Sequence, residues 1–339
     1  MTHIDRRSLL KASGAAAAMS LISVDAHSQA KPVVNMQLGW LLSGNQIGEV
    51  CAKALGYYEQ EGIEMRFQAG GPNIDGVAVV AAGRYEVGQV SSSPSLMLAA
   101  SQDIPVVSFA AGLQEHPYAF FSLKKNPIRE PKDLVGKKVG IQATGVILLR
   151  ALLAKNKIPD KDVQIVTIGA DMSPVLTGQV DCVTGWLTNT SAMKVLGDDM
   201  VSMRLWDTGV RLYALPYYAT ANTIKTRGDV LAKYLRASGK GWEFAYQPGN
   251  RDKAVELLVK EFPNLKAADE RVSLETQLKF GFSPRTKTEG WGAMDPAIWQ
   301  DQINIYAELG QFSKRVPKLE EVMTLDILKM TADSRPKIG

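Results

Sequence analysis

The hydrophobic and polar positions of this chain follow two alternating periods. Short apolar runs of strand length are followed by segments with the spacing of an amphipathic helix, and glycine or proline often separates the two. Because strands that alternate with helices form βαβ units, we predict an α/β protein with mainly parallel sheets. The predicted strands cover residues 33–39, 63–67, 87–90, 138–142 and 163–168, and the predicted helices cover 44–55, 74–82, 146–156 and 172–177.

Two short segments recur at nearly the same interval. Gly-Arg-Tyr-Glu-Val at 83–87 resembles Gly-Gln-Val-Asp-Cys at 178–182, an offset of 95 residues. The segment at 39–44 loosely resembles 140–145, an offset of 101 residues. Matches this short also arise by coincidence, but nearly equal offsets favour two lobes of like topology.

From about residue 225 onward the pattern is helical, and strand candidates of comparable quality are missing from this part of the sequence. We expect these helices, over 229–246, 250–262, 268–280 and 295–309, to pack back on the first lobe. The first lobe then comprises 31–117 plus 223–339 and the second lobe 118–222, with crossover hinges near 115–119 and 218–223. A ligand cleft is expected between the lobes, at the carboxyl ends of the strands.

Residues 1–30 have the layout of an export signal. Arg6 and Arg7 precede a short alanine-rich stretch, and small residues stand before candidate cleavage sites after Ala26 and Ala30. Paired arginines are typical of a twin-arginine signal, so we predict a twin-arginine-type signal peptide and a mature protein free in the periplasm. The alternative interpretation is an N-terminal extension of a cytoplasmic protein.

The composition of the chain excludes several classes of binding and catalytic site. The chain is 45% hydrophobic and 22% charged, and its net charge of +4 lacks the basic excess of a nucleic-acid-binding protein. Of its three histidines, His116 alone lies outside the predicted signal peptide, and its two cysteines are far apart. Zinc and haem sites need clustered ligands, and a Ser-His or Cys-His nucleophile would need His116. We therefore expect no metal, no cofactor, no nucleic-acid partner and no catalysis.

Polar and aromatic residues follow the predicted strands, where a ligand in the cleft would lie. Aromatic rings on opposite sides of a closing cleft can stack on a planar ligand, while hydroxyls and amides offer hydrogen bonds. A role in the core or in capping a helix is the alternative for each of them. The candidate ligand-binding residues are Trp40, Asn45, Ser92 and Ser93 in the first lobe, Gln142, Thr144, Trp186 and Asn189 in the second, and Tyr213 and Tyr218 before the second crossover.

The predicted strand ends carry no arginine or lysine suited to clamp a carboxylate, phosphate or sulfonate. We therefore predict that the ligand is a small, neutral, planar heterocyclic or aromatic solute. The alternative ligand is a small oxyanion such as a sulfonate, nitrate or bicarbonate, which backbone N–H groups and serines can bind without arginine.

Five segments form a set that is more specific than any of its members. They are Leu-Gly-Trp at 38–40, Ala-Leu-Gly-Tyr-Tyr-Glu-Gln-Glu-Gly-Ile at 54–63, Ala-Ala-Gly-Arg-Tyr-Glu-Val-Gly at 81–88, Pro-Lys-Asp-Leu-Val-Gly-Lys-Lys-Val-Gly-Ile at 131–141, and Leu-Thr-Gly-Gln-Val-Asp-Cys-Val-Thr-Gly at 176–185. This set resembles the nitrate/sulfonate/taurine class of ABC-transporter substrate-binding proteins, and most of all its NMT1/THI5-like branch. The resemblance implies a type II periplasmic binding protein fold, capture of a solute by lobe closure, and delivery to an ABC-transporter permease and ATPase. We expect a monomer.

The resemblance also implies ligand contacts for Trp40, Trp186 and Asn189, which match the branch by position. The branch often has Asn-x-x-His after the tryptophan and an acidic residue after the asparagine, whereas this chain has Asn45-Gln-Ile-Gly and Asn189-Thr190. These departures argue against a thiamine-precursor pyrimidine as the ligand. Fungal relatives of the branch are pyrimidine-forming enzymes, but their cysteine-rich motif and pocket histidine are not matched here, so an enzyme is the less favoured alternative.

Overall fold

The computed structural model describes residues 31–71 and 74–339, so the predicted signal peptide lies outside the described residues. In these ranges the strands are β1 (Val33–Leu38), β2 (Glu64–Gln68), β3 (Val87–Gln89), β4 (Val106–Leu113), β5 (Tyr118–Leu123), β6 (Lys138–Ile141), β7 (Gln164–Thr167), β8 (Cys182–Trp186), β9 (Met200–Arg204) and β10 (Ala214–Thr220). The α-helices are α1 (Ile47–Ala54), α2 (Tyr57–Gln60), α3 (Gly76–Ala81), α4 (Pro94–Ser101), α5 (Val146–Lys155), α6 (Ser173–Leu176), α7 (Thr190–Met193), α8 (Ala221–Thr226), α9 (Gly228–Tyr246), α10 (Arg251–Glu261), α11 (Ala267–Gly281), α12 (Pro284–Glu289), α13 (Pro296–Glu308), α14 (Leu319–Val322) and α15 (Asp326–Met330).

The two sheets repeat one pattern of five strands. The first sheet has the order β2-β1-β3-β10-β4, in which β1 is parallel to β2 and β3 while β10 is antiparallel to both of its neighbours. The second sheet has the order β7-β6-β8-β5-β9, in which β5 is the antiparallel strand. The repeated order confirms the prediction of an α/β fold with two lobes of like topology and mainly parallel sheets.

The chain crosses twice between the sheets. It passes from the first to the second over residues 114–117, between β4 and β5, and returns over 205–213, between β9 and β10. The prediction of the second crossover at 218–223 is wrong, because Ala214–Thr220 forms a fully buried strand of the first sheet. Residues 214–222 therefore belong with the first lobe.

Burial explains which elements the sequence pattern missed. Strands β4 and β5 are buried along their whole length, and such strands show continuous apolar runs without the alternation that marks a half-buried strand. The helical C-terminal region is confirmed by α8 to α15, which follow the last strand. Helix α9 packs so closely on α1 that a Cβ on Gly241 would lie 1.9 Å from the carbonyl oxygen of Gly48. Among the described residues, no helix is both long and apolar enough to cross a membrane.

Glu49 of α1 is fully buried beneath this packing. Its carboxylate accepts a hydrogen bond from the Tyr217 hydroxyl of β10, and the rings of Trp242 and Trp291 stack 6.0 Å apart on the side of α9. Burial raises the pKa of Glu49 to about 7, because the charged carboxylate has lost its water, and the hydrogen bond from Tyr217 only partly opposes this shift.

The free energy of unfolding should therefore depend on the protonation of Glu49. Because the pKa rises from 4.5 to about 7 on folding, the folded state binds the proton more tightly, and stability should fall as the pH rises through this interval. We expect a loss of about 3 kcal/mol. The loss should be absent in Glu49→Gln, which keeps an acceptor for Tyr217. Urea unfolding at a series of pH values measures it, with Glu59→Gln, an exposed glutamate on α2, as the control. An unchanged pH slope in Glu49→Gln would contradict the assignment.

Candidate ligand-binding cleft

The first lobe places Trp40 and the start of the first helix at the carboxyl end of its sheet. Trp40 follows β1 and is 49% exposed. Its carbonyl accepts the N–H of Gly70 at 2.9 Å, which joins the loop after β1 to the loop after β2. Asn45 is half-buried in a one-turn 3-10 helix, Gly44–Gln46, that leads into α1. Ser43 caps this turn by accepting the Asn45 N–H at 3.3 Å. The exposed ring of Trp40 and the helix start capped by Ser43 are thus close together in the chain.

Ser92, which follows β3, is hydrogen-bonded to His116 of the first crossover. Ser92 Oγ and His116 Nε2 are 2.6 Å apart, and His116 Nδ1 accepts the N–H of Tyr118 at 3.1 Å. A ring nitrogen that accepts a hydrogen bond carries no proton, so the neutral ring holds its proton on Nε2 and donates it to Ser92. The ring is fully buried, and burial lowers the pKa of His116 to about 3, so it stays neutral near pH 7.

This tautomer of His116 does not activate Ser92 as a nucleophile, because a general base must accept the hydroxyl proton instead of donating one. Because Ser92 accepts this hydrogen bond, its own hydroxyl hydrogen can be donated to another acceptor. His116 also reaches the second lobe, where its ring lies edge to face with Trp186 at a centroid distance of 5.0 Å. The sequence indicates His116 only as a candidate base, since its contacts with both lobes depend on the fold.

The second lobe places four of the predicted side chains at the ends of β6 and β8. Gln142 follows β6 and donates to two backbone carbonyls, at 3.0 and 3.3 Å. Thr144 is exposed in the turn before α5. Trp186 is half-buried at the end of β8, and the exposed Asn189 accepts the Ser191 hydroxyl at 3.2 Å. Amide, hydroxyl and indole groups therefore lie at this edge of the second sheet.

Three of the predicted residues lie in the interior of the first lobe. Ser93 is fully buried and donates to Oε1 of Gln302 at 2.5 Å. The hydroxyl of Tyr213 accepts the N–H of Asp295 at 2.7 Å, and Tyr218 is fully buried within β10. The aromatic pattern that indicated a crossover rim belongs to a buried strand and its approach. Hydrogen bonds within the first lobe engage Ser93 and Tyr213, whereas the buried hydroxyl of Tyr218 has no hydrogen-bond partner among the described residues. Ligand contact by these three side chains stays a prediction.

Helix α11 brings three polar side chains to the cleft that the sequence pattern does not predict. Ser273 Oγ donates to the carbonyl of Thr188, in the loop after β8, at 2.7 Å. The same helix presses Glu270 and Gln277 against Gly44, where a Cβ would lie 2.1 Å from Glu270 Oε2 and 2.9 Å from Gln277 Nε2. The helix thus joins the second lobe to the start of the first helix. The available sequence signal is the three- and four-residue spacing of 270, 273 and 277, which puts polar groups on one helix face.

The end of α11 also holds both crossovers. The N–H groups of Gln114 and Glu115 lie against the carbonyl of Phe280, at 2.7 and 3.3 Å. The carboxylate of Glu115 pairs with Arg204, the last residue of β9, whose guanidinium lies 5.2 Å from the centroid of the Phe280 ring. The first crossover and the start of the second therefore meet at one residue of α11.

Metal-binding and thiol chemistry find no support in the described residues. In the ranges 31–71 and 74–339, no group of three or more histidine, cysteine, aspartate or glutamate side chains is placed to hold a metal ion. Cys51 and Cys182 are buried, and burial raises the pKa of each thiol to about 12, so both remain protonated. The ends of β1, β3, β6 and β8 carry indole rings and neutral hydrogen-bonding groups.

Two α/β lobes joined by two crossovers, with polar and aromatic side chains at the facing strand ends, define a protein with the periplasmic binding protein fold. The family model described as "NMT1/THI5 like" matches residues 43–250, more than half of the chain. The chain belongs to this family.

Curated relatives of the chain are named for binding or for synthesis. The chain is 25% identical over 287 residues to the formylaminopyrimidine-binding protein of Halalkalibacterium halodurans, covering 81% of this chain and 85% of that protein. It is 26% identical over 260 residues to a riboflavin-binding protein of Chloroflexus aurantiacus, covering 73% and 72%. A 4-amino-5-hydroxymethyl-2-methylpyrimidine phosphate synthase of Legionella pneumophila is 24% identical over 247 residues, covering 71% and 77%.

Among solved structures, the chain is similar to the periplasmic aliphatic sulphonate binding protein of Escherichia coli. The TM-score is 0.68 at 15% sequence identity, and the match covers 88% of this chain and 99% of that one. Identity this low shows a shared fold and leaves the ligand to be argued from the site.

Replacement of Gly44 by alanine should lower the free energy of unfolding by about 1–3 kcal/mol, because the methyl group displaces Glu270 and Gln277. The loss should shrink in the Glu270→Ala background, from which the nearest atom has been removed. Urea unfolding of both single variants and the double variant measures this coupling. Gly169→Ala is the matched control, since a Cβ there meets nothing within 4 Å. An equal loss with and without Glu270 would show that the contact is not made.

Proposed function

We propose that this chain is the solute-binding receptor of an ABC importer and that it captures a neutral planar heterocycle between its lobes. The observation that carries the proposal is the character of the side chains at the facing strand ends, which combine two tryptophans with neutral hydrogen-bonding groups. A flat ring stacks on indole, and its polar edge is met by hydroxyls and amides. The residues proposed to face the ligand are Trp40, Asn45, Ser92, Gln142, Thr144, Trp186 and Asn189.

The named relatives support this class of ligand. One is named for a formylaminopyrimidine and another for riboflavin, and both ligands contain planar nitrogen heterocycles. The resemblance of fold to a sulphonate binding protein keeps an oxyanion as the alternative ligand, which the binding experiments below include. A salt-sensitive affinity would distinguish an anion from a neutral heterocycle.

Capture by this receptor uses motion about the two crossovers. When residues 114–117 and 205–213 act as hinges, the facing strand ends approach each other and cover the exposed ring of Trp40. A ligand that bridges the lobes stabilises the closed state because it contacts both of them only there. The closed receptor is then the form that a membrane permease and its ATPase would recognise.

The proposal includes export to the periplasm, a monomeric receptor, and partners limited to the solute and the importer. The twin-arginine pattern of residues 1–30 supports export. A binding role in place of catalysis is supported by the proton that His116 donates to Ser92 and by the protonated, buried thiols.

Loss of either cleft tryptophan should weaken ligand binding. Trp40→Ala and Trp186→Ala should each reduce the binding free energy by about 1–3 kcal/mol if the rings stack on the ligand. A thermal-shift screen of heterocycles, sulfonates and aromatic acids first identifies the ligand, because binding to the folded state raises the melting temperature with occupancy. Calorimetry then measures the variants. Leu41→Ala, which removes the exposed neighbour of Trp40, is the control. Unchanged affinity in both tryptophan variants would rule out the aromatic clamp.

A receptor should return its ligand chemically unchanged. After prolonged incubation of the protein with the heterocycle identified in the screen, mass spectrometry of the solution released by denaturation should find the same compound in the amount supplied. The proposed site has no activated nucleophile, so no turnover is expected. Accumulation of a new product that depends on His116 or Ser92 would instead assign the chain an enzymatic role.

A further inference from the structure

We propose that Glu270 sets the ligand class of the cleft by covering the N–H of Gly44 at the start of the first helix and thereby excluding anions. This inference rests on the proposed function, because it concerns the same cleft. The turn Gly44–Gln46 runs directly into α1, so the backbone N–H groups of this turn form the start of one helical segment that continues to Ala54. Helix starts attract anions because their first N–H groups have no acceptor within the helix and carry the positive end of the helix dipole.

The carboxylate of Glu270 lies against this helix start. Only the absence of a side chain on Gly44 permits the approach, since a Cβ would be 2.1 Å from Glu270 Oε2. Burial and the neighbouring Asp269 raise the pKa of Glu270, while the N–H of Gly44 acts in the opposite direction by favouring the charged form. An acidic group of the protein itself therefore stands where a sulfonate or carboxylate ligand would meet the helix.

Glu270 differs from the other acidic residues of α11. Asp269 pairs with Lys194 at 2.5 Å, and Glu275 pairs with Arg251 at 2.5 Å. Within the part of the chain that the structure describes, Glu270 forms no ion pair. Its charge is not cancelled by a neighbouring cation, so it repels an anion that approaches the helix start.

Gln277 independently marks this place as a ligand position. The hydroxyl of Ser273 donates to the Thr188 carbonyl, so Ser273 Oγ can only accept from Gln277, whose Nε2 lies 3.0 Å away. This network fixes the amide orientation. Gln277 is 2% exposed, and its Oε1 has no hydrogen-bond partner among the described residues. A buried oxygen without a donor is costly, and a ligand N–H would satisfy it.

Together Glu270 and Gln277 present acceptors at one point of the cleft. The carboxylate and the free amide oxygen both favour a solute with N–H donors on its edge, and both disfavour a solute whose edge is an anionic oxygen. A helix from the C-terminal region therefore contributes to the charge preference of the cleft together with the strand ends.

Ethanesulfonate tests the proposal directly. Calorimetric titration with ethanesulfonate should show weak or no binding to the wild type and to Glu275→Gln, the control on the same helix. Glu270→Gln, which keeps the size of the side chain, and Glu270→Ala should both bind ethanesulfonate at least about tenfold more tightly than the wild type, and added salt should weaken that binding. Melting curves of both variants check that they remain folded.

Ethanesulfonate binding to the wild type with the same affinity as to the Glu270 variants would overturn the proposal, and so would its absence from both variants. Parallel titrations with riboflavin and a formylaminopyrimidine test the proposed function separately. If neither heterocycle binds the wild type but Glu270→Gln gains ethanesulfonate affinity, the ligand class proposed for the cleft fails and the role of Glu270 stands. If a heterocycle binds the wild type and no variant gains ethanesulfonate affinity, the receptor proposal stands and the role of Glu270 fails.

Discussion

One antiparallel strand inside each sheet is the constraint on which the rest of this structure depends. Strand β10 lies between β3 and β4, and β5 lies between β8 and β9, and both are buried along their whole length. A strand that runs antiparallel to its neighbour begins beside the carboxyl end of that neighbour. The register shows this, since Tyr118 at the start of β5 pairs with Trp186 at the end of β8, and Ala214 at the start of β10 bridges to Ser92 after β3. Both crossovers therefore lie at the carboxyl edge of the two sheets, where the ligand is proposed to bind.

The position of His116 between the lobes follows from this constraint. It lies two residues before β5, so its ring is held between Ser92 of the first lobe and Trp186 of the second. The backbone N–H of Tyr118 fixes the tautomer, and the tautomer fixes the direction of the hydrogen bond to Ser92. The geometry of the first crossover and the orientation of two proposed ligand contacts are consequently parts of one arrangement. His116, which a Ser-His or Cys-His nucleophile would need as its base, instead holds Ser92 and Trp186 in position.

The sequence predicts the parts of this fold that are half-buried and local. Residues 33–36 of strand β1 alternate between half-buried and buried positions, and Trp40 follows that strand at the expected edge. Strands β4, β5 and β10 are buried on both faces, so they carry no alternation, and the sequence pattern therefore predicts a crossover rim at Tyr213 and Tyr218. The contacts of Glu270 and Gln277 with Gly44 join segments far apart in the chain. Such contacts depend on how α11 packs against the first helix, and a local sequence pattern does not predict this packing.

The ligand class of this family therefore does not follow from its fold. A sulphonate binding protein shares the architecture at a TM-score of 0.68, so the fold alone does not determine the charge of the solute. In this chain the strands predicted from the sequence end without basic side chains, and Arg204 at the end of β9 is paired with Glu115. Helix α11 adds a carboxylate at the helix start, where an anion would otherwise be favoured. A missing cation alone leaves the helix dipole free to attract an anion. An added carboxylate opposes that attraction, so the C-terminal helices take part in ligand selection as well as covering the first sheet.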